Sequence, residues 1–173
     1  MDQWSFTANF EGIIPHLYLD TRGNPTCGVG FLVANEFELC KLPWSPDRQA
    51  ATADYQLVRA APFGRPAPYY ARFCKARLPE AAMRQLFDQK IAEFRKQLFG
   101  WHLERCPERV QIALLDMAYN LGVAGLNKFA KLHRAVDFRD WATAATECRR
   151  NGVQQARNVA TAELFLRAET PMP

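Results

Sequence analysis

The segment that most constrains the fold is a helical run from Val110 to Leu121 that has almost no polar face. Pro107 opens this run, and Gly122 and Gly125 break it, so the sequence marks where the helix begins and ends. Asp116 is the one charged residue inside it. A helix that is apolar all round has to be covered by other elements. We therefore expect this helix to be the buried centre of a helical lobe.

Amphipathic helices are predicted before and after this central helix. Upstream, Pro79 suits the first helical position, and apolar residues then recur on one face as far as Gly100. Downstream, the pattern of apolar residues and breakers predicts short helices at about 126–136, 138–149 and 154–168. These helices can supply the cover that the central one requires.

A short helix and a β-hairpin are predicted within residues 1–42. Aromatic residues at helical spacing indicate a first helix that ends around Glu11, where Gly12 suits the position after a helix. The strands that follow are predicted at residues 17–19 and 26–33, joined by a turn at residues 20–25.

Residues 43–78 separate these two regions and hold five of the eleven prolines. We expect an irregular insertion there, which either walls a cleft or lies on the surface. The length of 173 residues fits one domain. The sequence therefore predicts a single α+β domain, with a small hairpin lobe, this insertion, and a larger all-helical lobe over residues 79–173 beyond a cleft.

Charge and hydropathy narrow the class of protein. The net charge of +4 lacks the dense basic stripe of proteins dedicated to duplex nucleic acid, and it suits a partner rich in carboxylates or phosphates, such as a bacterial cell wall. The sequence lacks a run of about 18 apolar residues, so we expect no stable membrane insertion. The first residues have neither the basic nor the apolar region of a signal peptide, and we expect synthesis in the cytoplasm.

The cysteines favour a reducing compartment. They are odd in number, widely spaced and without a Cys-x-x-Cys pair, which is typical of free thiols rather than of a disulfide framework. We expect them to act as small core residues. They are Cys27, Cys40, Cys74, Cys106 and Cys148.

Several catalytic classes are excluded by missing motifs. The sequence has no P-loop, no Gly-x-Ser-x-Gly elbow and no His-Glu-x-x-His motif, and Gly28-x-Gly30 lacks the third glycine of a dinucleotide site. His16, His102 and His133 are not spaced as metal ligands. We therefore expect neither a metal nor another cofactor.

A candidate site begins where the first helix ends. Glu11 closes that helix, Asp20 lies at the mouth of the hairpin, and Thr26 begins the returning strand across the turn. Glycoside hydrolysis needs an acid for the leaving oxygen and a carboxylate on the other face of the sugar, ~6.5–9.5 Å apart where a water fits between them. A threonine can aim that water, while Gly28 and Gly30 are expected to leave room for a ligand or another backbone. On these residues alone, a surface glutamate and a turn-forming aspartate remain the alternative.

The segment FEGIIPHLYLDTRGNPTCGVG resembles the catalytic segment of phage-type lysozymes, the muramidases of bacteriophage endolysins. That family shows Glu-Gly, an aromatic-x-Asp, a glycine turn and a Thr-x-Gly-x-Gly strand in the same order and spacing. Residues 78–98, 114–122 and 141–165 are similar to its connecting, central and C-terminal helices. Residues 43–72 have no counterpart in the family.

The resemblance implies a lysozyme-like fold and a monomer that binds peptidoglycan glycan strands. It implies hydrolysis, with inversion, of the β-1,4 bond between N-acetylmuramic acid and N-acetylglucosamine. By position, Glu11 is the general acid, Asp20 the base or the electrostatic partner of the catalytic water, and Thr26 the residue that positions this water. Substrate binding is assigned to Tyr18, Phe31, Asn120 and Arg157.

The residues just before Arg157 and the residue at position 31 depart from the family pattern. Arg157 matches a helix residue that in relatives can pair with the catalytic acid, although the residues just before it are less basic than in the family. Phe31 stands where many relatives carry histidine, which removes one potential ion-pair partner.

Two biological settings fit such an enzyme. One is an endolysin that a membrane-permeabilising partner releases to the cell wall. The other is an antibacterial effector that a secretion system delivers into a competitor's periplasm, which implies a cognate immunity protein. The insertion and Phe31 favour the effector.

Three other functions stay open. The catalytic pair could act on a related amino-sugar polymer such as chitin, or the chain could be an inactive wall-binding module. Nucleic-acid binding depends only on the net charge and a few basic residues, which more simply form the solvated faces of helices. Those residues are Lys128, Lys131, Arg134, Arg149 and Arg150.

Overall fold

The computed structural model describes residues 1–169 and divides the chain into two compact units. One unit contains residues 1–10 together with the chain from residue 90 onward, and the other contains residues 11–89. The strands are β1 (Ile14–Leu19), β2 (Pro25–Gly28) and β3 (Phe31–Leu32). The helices are α1 (Gln3–Glu11), α2 (Glu36–Cys40), α3 (Arg48–Ala60), α4 (Ala67–Tyr70), α5 (Glu80–Gln97), α6 (Glu108–Leu121), α7 (Val123–Leu126), α8 (Ala130–Asp137), α9 (Trp141–Glu147) and α10 (Gln155–Leu166).

The predicted α+β class is confirmed, since a small antiparallel sheet lies near the N-terminus and the C-terminal part is helical. Helix α1 ends at Glu11 as predicted, and Gly12 follows it with a φ of +79°. In the part of the chain that the structure describes, no helix combines the length and the apolar character needed to cross a membrane.

The sheet of the 11–89 unit has the order β1-β2-β3. Tyr18 of β1 lies opposite Thr26 of β2, and Leu19 lies opposite Pro25. Between these strands the chain reverses at residues 20–24, where the backbone N–H of Asp20 donates to the carbonyl oxygen of Asn24 at 3.0 Å. The register therefore fixes Asp20 directly beyond the last strand pair.

The prediction of one continuous strand over residues 26–33 is wrong. Gly28 and Gly30 have φ values of +63° and +75°, and the chain turns there so that Phe31 of β3 pairs back with Cys27. The two glycines allow this turn, because left-handed backbone is strained for other residues. A Cβ on Gly28 would meet the side chain of Met83, so the room that this glycine leaves is taken by protein and not by a ligand.

The predicted irregular insertion instead contains a 13-residue helix, α3. Asp47 caps it by accepting a hydrogen bond from the backbone N–H of Ala50 at 2.8 Å. The buried residues follow helical spacing and face β1 and β2; they are Ala51, Asp54, Tyr55 and Val58. The prediction was wrong because the prolines lie on either side of this helix and not within it.

The other unit is built around α6, as the apolar sequence predicts. The side chains from Ile112 to Ala118 are all buried, and α6 packs against α7 and α10. Helix α9 contacts both α8 and α10. Pro107 precedes α6, and Gly122, with a φ of +71°, ends it.

The five cysteines are free thiols. Cys27, Cys74 and Cys148 are buried, which confirms the expected core role for these three, whereas Cys40 and Cys106 are half-buried. Burial raises the pKa of the Cys27 thiol to about 12. The thiol next to Thr26 is therefore protonated at neutral pH and is a poor nucleophile.

Candidate active site

Glu11 occupies the junction between α1 and the hairpin. It is the last residue of α1 and the first residue of the 11–89 unit, and its side chain is half-buried. Gly12 then turns the chain into β1. The local sequence Glu-Gly thus places a carboxylate at a helix end that leads within three residues into a strand.

Asp20 is held by the turn that joins β1 to β2. Its Oδ1 accepts hydrogen bonds from the backbone N–H groups of Arg22 and Asn24, both at 2.8 Å. Its Oδ2 accepts from the side-chain amide of Asn24 at 3.2 Å. The sequence reasoning missed Asn24, although an Asp followed by Gly and Asn is a typical signature of a turn in which the aspartate accepts from later backbone groups.

Two opposing effects set the charge of Asp20. Partial burial raises its pKa, while the hydrogen bonds from Asn24 and Arg22 and the positive charge of Arg22 lower it. The lowering effects dominate together, and the pKa lies below the ordinary value of an aspartate. Asp20 is therefore ionised at neutral and mildly acidic pH, as a general base has to be.

Thr26 lies across the sheet from Tyr18 and is only 3% exposed. Its hydroxyl donates a hydrogen bond to the carbonyl oxygen of Asn24 at 3.0 Å. Because the hydroxyl proton is committed to that carbonyl, the Thr26 oxygen presents lone pairs as its remaining hydrogen-bonding capacity. Thr26 thus keeps the capacity to accept a hydrogen bond next to the Asp20 turn.

Tyr18 links the two carboxylates electrostatically. Burial is the largest cause that raises the pKa of the Tyr18 phenol, ahead of the neighbouring Cys27 thiol and the carboxylates of Glu11 and Asp20. Both carboxylates therefore act on the same hydroxyl group, which stays neutral and can donate a hydrogen bond. The structure brings Glu11, Tyr18, Asp20 and Thr26 together in one unit.

Phe31 also lies in this unit, as the first residue of β3, where it is half-buried and paired with Cys27. Asn120 and Arg157 lie in the other unit. Asn120 is near the end of α6, with its side-chain oxygen 3.5 Å from Nη1 of Arg150.

Arg157 of α10 is 4% exposed and binds Asp116. Its Nη2 and Nε donate to the two carboxylate oxygens of Asp116 at 2.7 and 3.1 Å. The sequence reasoning did not identify Asp116 as a partner of Arg157. The signal was present, because Asp116 is the one charge inside the apolar run of α6, and a buried carboxylate requires a partner.

Within residues 1–169, no group of three or more His, Cys, Asp or Glu side chains is arranged to hold a metal ion. Comparison of the sequence with protein-family models and with curated proteins finds no match in either. The functional assignment therefore has to be argued from the site itself.

Proposed function

We propose that this protein is a peptidoglycan hydrolase, a muramidase that cleaves the β-1,4 bond between N-acetylmuramic acid and N-acetylglucosamine. One observation carries the proposal: Glu11 ends the helix that leads into β1, and the hairpin register sets Tyr18 opposite Thr26 with Asp20 directly beyond the last strand pair. Two carboxylates and an acceptor for water are the groups that acid–base cleavage of a glycosidic bond needs.

In this mechanism Glu11 is the general acid. In its protonated form it donates its proton to the glycosidic oxygen as the bond to the anomeric carbon breaks. Its place at the last position of α1 suits this role, because the helix fixes its backbone while the following glycine leaves the helix end open. Glu11 leaves this step as a carboxylate.

Asp20 and Thr26 act on the water. Asp20 is ionised and accepts one proton of the water, and the Thr26 oxygen accepts a hydrogen bond from the other proton. Both protons are then held, so a lone pair of the water oxygen is free to attack the anomeric carbon from the face opposite the leaving group. Attack by water in a single displacement inverts the configuration at that carbon.

The test is digestion of purified peptidoglycan by the wild type and by Glu11→Gln, with the products analysed by mass spectrometry. The substitution keeps the size of the side chain and removes the proton donor, so we expect a loss of at least about 100-fold in turnover. We expect the wild type, and not Glu11→Gln, to release fragments with a reducing muramic acid end.

The matched control is Glu93→Gln, the same chemical change at an exposed carboxylate whose partner is Lys90. Normal turnover in Glu11→Gln would refute the assignment of Glu11 as the general acid. Cleavage of a peptide bond, or an anhydro-muramic product, would retain the wall as target and exclude this mechanism. Cleavage of chitin alone would reassign the substrate to that polymer.

A further inference from the structure

An exposed aromatic residue lies against the turn that carries Asp20. Three ring atoms of Phe63 are 3.5 to 4.0 Å from the position that a Cβ on Gly23 would occupy. Gly23 has a φ of +82°, the left-handed conformation that this position of the turn requires. Phe63 comes from the connection between α3 and α4, so a segment about forty residues away in sequence touches the candidate site.

This position of Phe63 is supported by its own segment. The hydroxyl of Tyr70, whose side chain is fully buried, donates to the carbonyl oxygen of Pro62 at 2.9 Å. That bond anchors the backbone immediately before Phe63. Gly64 follows with a φ of +77°, which lets the chain turn away directly after it. The backbone is thus anchored just before Phe63 and turns away just after it.

Phe63 nevertheless leaves 60% of its surface exposed. Another exposed aromatic residue of the same unit, Phe37, has the ammonium group of Lys41 at 4.2 Å from its ring centroid. A cation on the ring face uses the negative potential of that face, so Phe37 is partnered by the C-cap residue of its own helix. For Phe63 the observed neighbour is the backbone of a turn, which covers only part of the ring.

We propose that Phe63 is a sugar-binding residue, whose flat face stacks on a pyranose ring of the glycan strand next to Asp20. A pyranose presents C–H groups on its faces and hydroxyl groups at its edge. The phenyl ring of Phe63 has a negative face and no polar atom, so it suits the C–H face of the sugar. This inference rests on the proposed function, and it adds a specificity-determining residue from the segment that has no counterpart in phage-type lysozymes.

The test uses soluble, uncrosslinked peptidoglycan glycan strands and three variants: Phe63→Leu, Phe63→Ala and Phe63→Trp. Phe63→Leu keeps an apolar contact with Gly23 but loses the flat π face, so it separates stacking from packing. We expect Phe63→Leu and Phe63→Ala to raise KM about three- to tenfold with kcat within twofold, and Phe63→Trp to keep KM at or below that of the wild type. Phe37→Ala is the control and should leave KM unchanged.

Binding of the same strands to Glu11→Gln, measured by calorimetry with and without Phe63→Leu, gives a readout that does not depend on turnover. An unchanged KM and Kd in Phe63→Leu would overturn the stacking proposal while the wild type still cleaves the wall. An increase in KM in Phe63→Trp equal to that in Phe63→Leu would also overturn it. Absence of cleavage by the folded wild type would instead refute the proposed function.

Discussion

Asp20 shows how a turn can set the chemistry of one side chain. Three hydrogen-bond donors point at its carboxylate, two from backbone N–H groups and one from the Asn24 amide. These groups both shape the turn and favour the charged form. Because burial opposes them, the final pKa depends on each donor, and the loss of a single one changes the acidity of the proposed base.

Asn24→Ala should raise the pKa of Asp20. The substitution removes the side-chain donor to Oδ2, while the backbone N–H of residue 24 can still donate to Oδ1. The measurement is a titration of the Asp20 carboxyl carbon by NMR in both proteins. Asn35→Ala, which makes the same change at the N-cap of α2, should leave this titration unchanged. An unaltered pKa of Asp20 in Asn24→Ala would show that the amide has no part in setting its charge.

The lowered pKa of Asp20 also makes the stability of the folded protein depend on pH. A carboxyl group whose pKa is lower in the folded than in the unfolded protein stabilises the fold above its unfolded pKa. That contribution is lost as the pH falls through the folded pKa. In Asn24→Ala the folded pKa is higher, so the hairpin should lose this contribution at a higher pH than in the wild type.

Helix α3 is the element that joins the insertion to the rest of its unit. Asp54, which is 2% exposed, lies in the middle of the helix, and its Oδ2 accepts from the backbone N–H groups of Lys75 and Ala76 at 2.8 and 2.7 Å. The side chain therefore satisfies two donors of a segment that has no regular structure. The chain between them includes Phe63, so this contact closes the loop that presents the aromatic ring.

Asp54→Ala should destabilise the protein by about 3 kcal/mol, because it removes the acceptor of two N–H groups, one of them on the buried Ala76. Urea unfolding followed by circular dichroism measures this change. Asp47→Ala removes only the exposed cap of the same helix and should cost about 1 kcal/mol. Equal losses in the two variants would contradict the anchoring role of Asp54.

The elements differ in how far the sequence predicts them, and the reason is the range of the interactions involved. Helix α6 was predicted with its ends because a breaker stands at each end of an apolar run. The end of α1 was predicted for the same reason. The turn at Gly28 and Gly30 was missed, because two glycines in an apolar segment fit a strand as well as a tight reversal.

The sequence predicts only those residues of the candidate site that lie close together along the chain. Glu11 ends α1, and Asp20 and Thr26 belong to the hairpin that follows, so their grouping follows from a helix end and one turn. The contact of Phe63 with Gly23 depends on how a distant segment packs, and nothing in the residues near either position indicates it. Long-range packing of this kind requires the three-dimensional structure.

At the scale of the whole chain, one buried carboxylate links residues 1–10 to the part of their unit that begins at residue 90. Asp116 of α6 accepts from the hydroxyl of Thr7 in α1 at 3.1 Å and from Arg157 in α10 at 2.7 Å. Arg150, in the segment between α9 and α10, adds a third donor at 3.2 Å. Elements from the beginning, the middle and the end of the chain thus meet at a single side chain.

Asp116→Ala should cost about 3–5 kcal/mol of unfolding free energy, because it leaves two buried guanidinium groups without their common anion. Urea unfolding gives the total, and amide hydrogen exchange in α1 and α10 shows whether both elements lose protection. Glu93→Ala, which breaks an exposed ion pair with Lys90, should cost less than about 1 kcal/mol. If Asp116→Ala were no more destabilising than Glu93→Ala, the two arginines would have to be held by contacts other than Asp116.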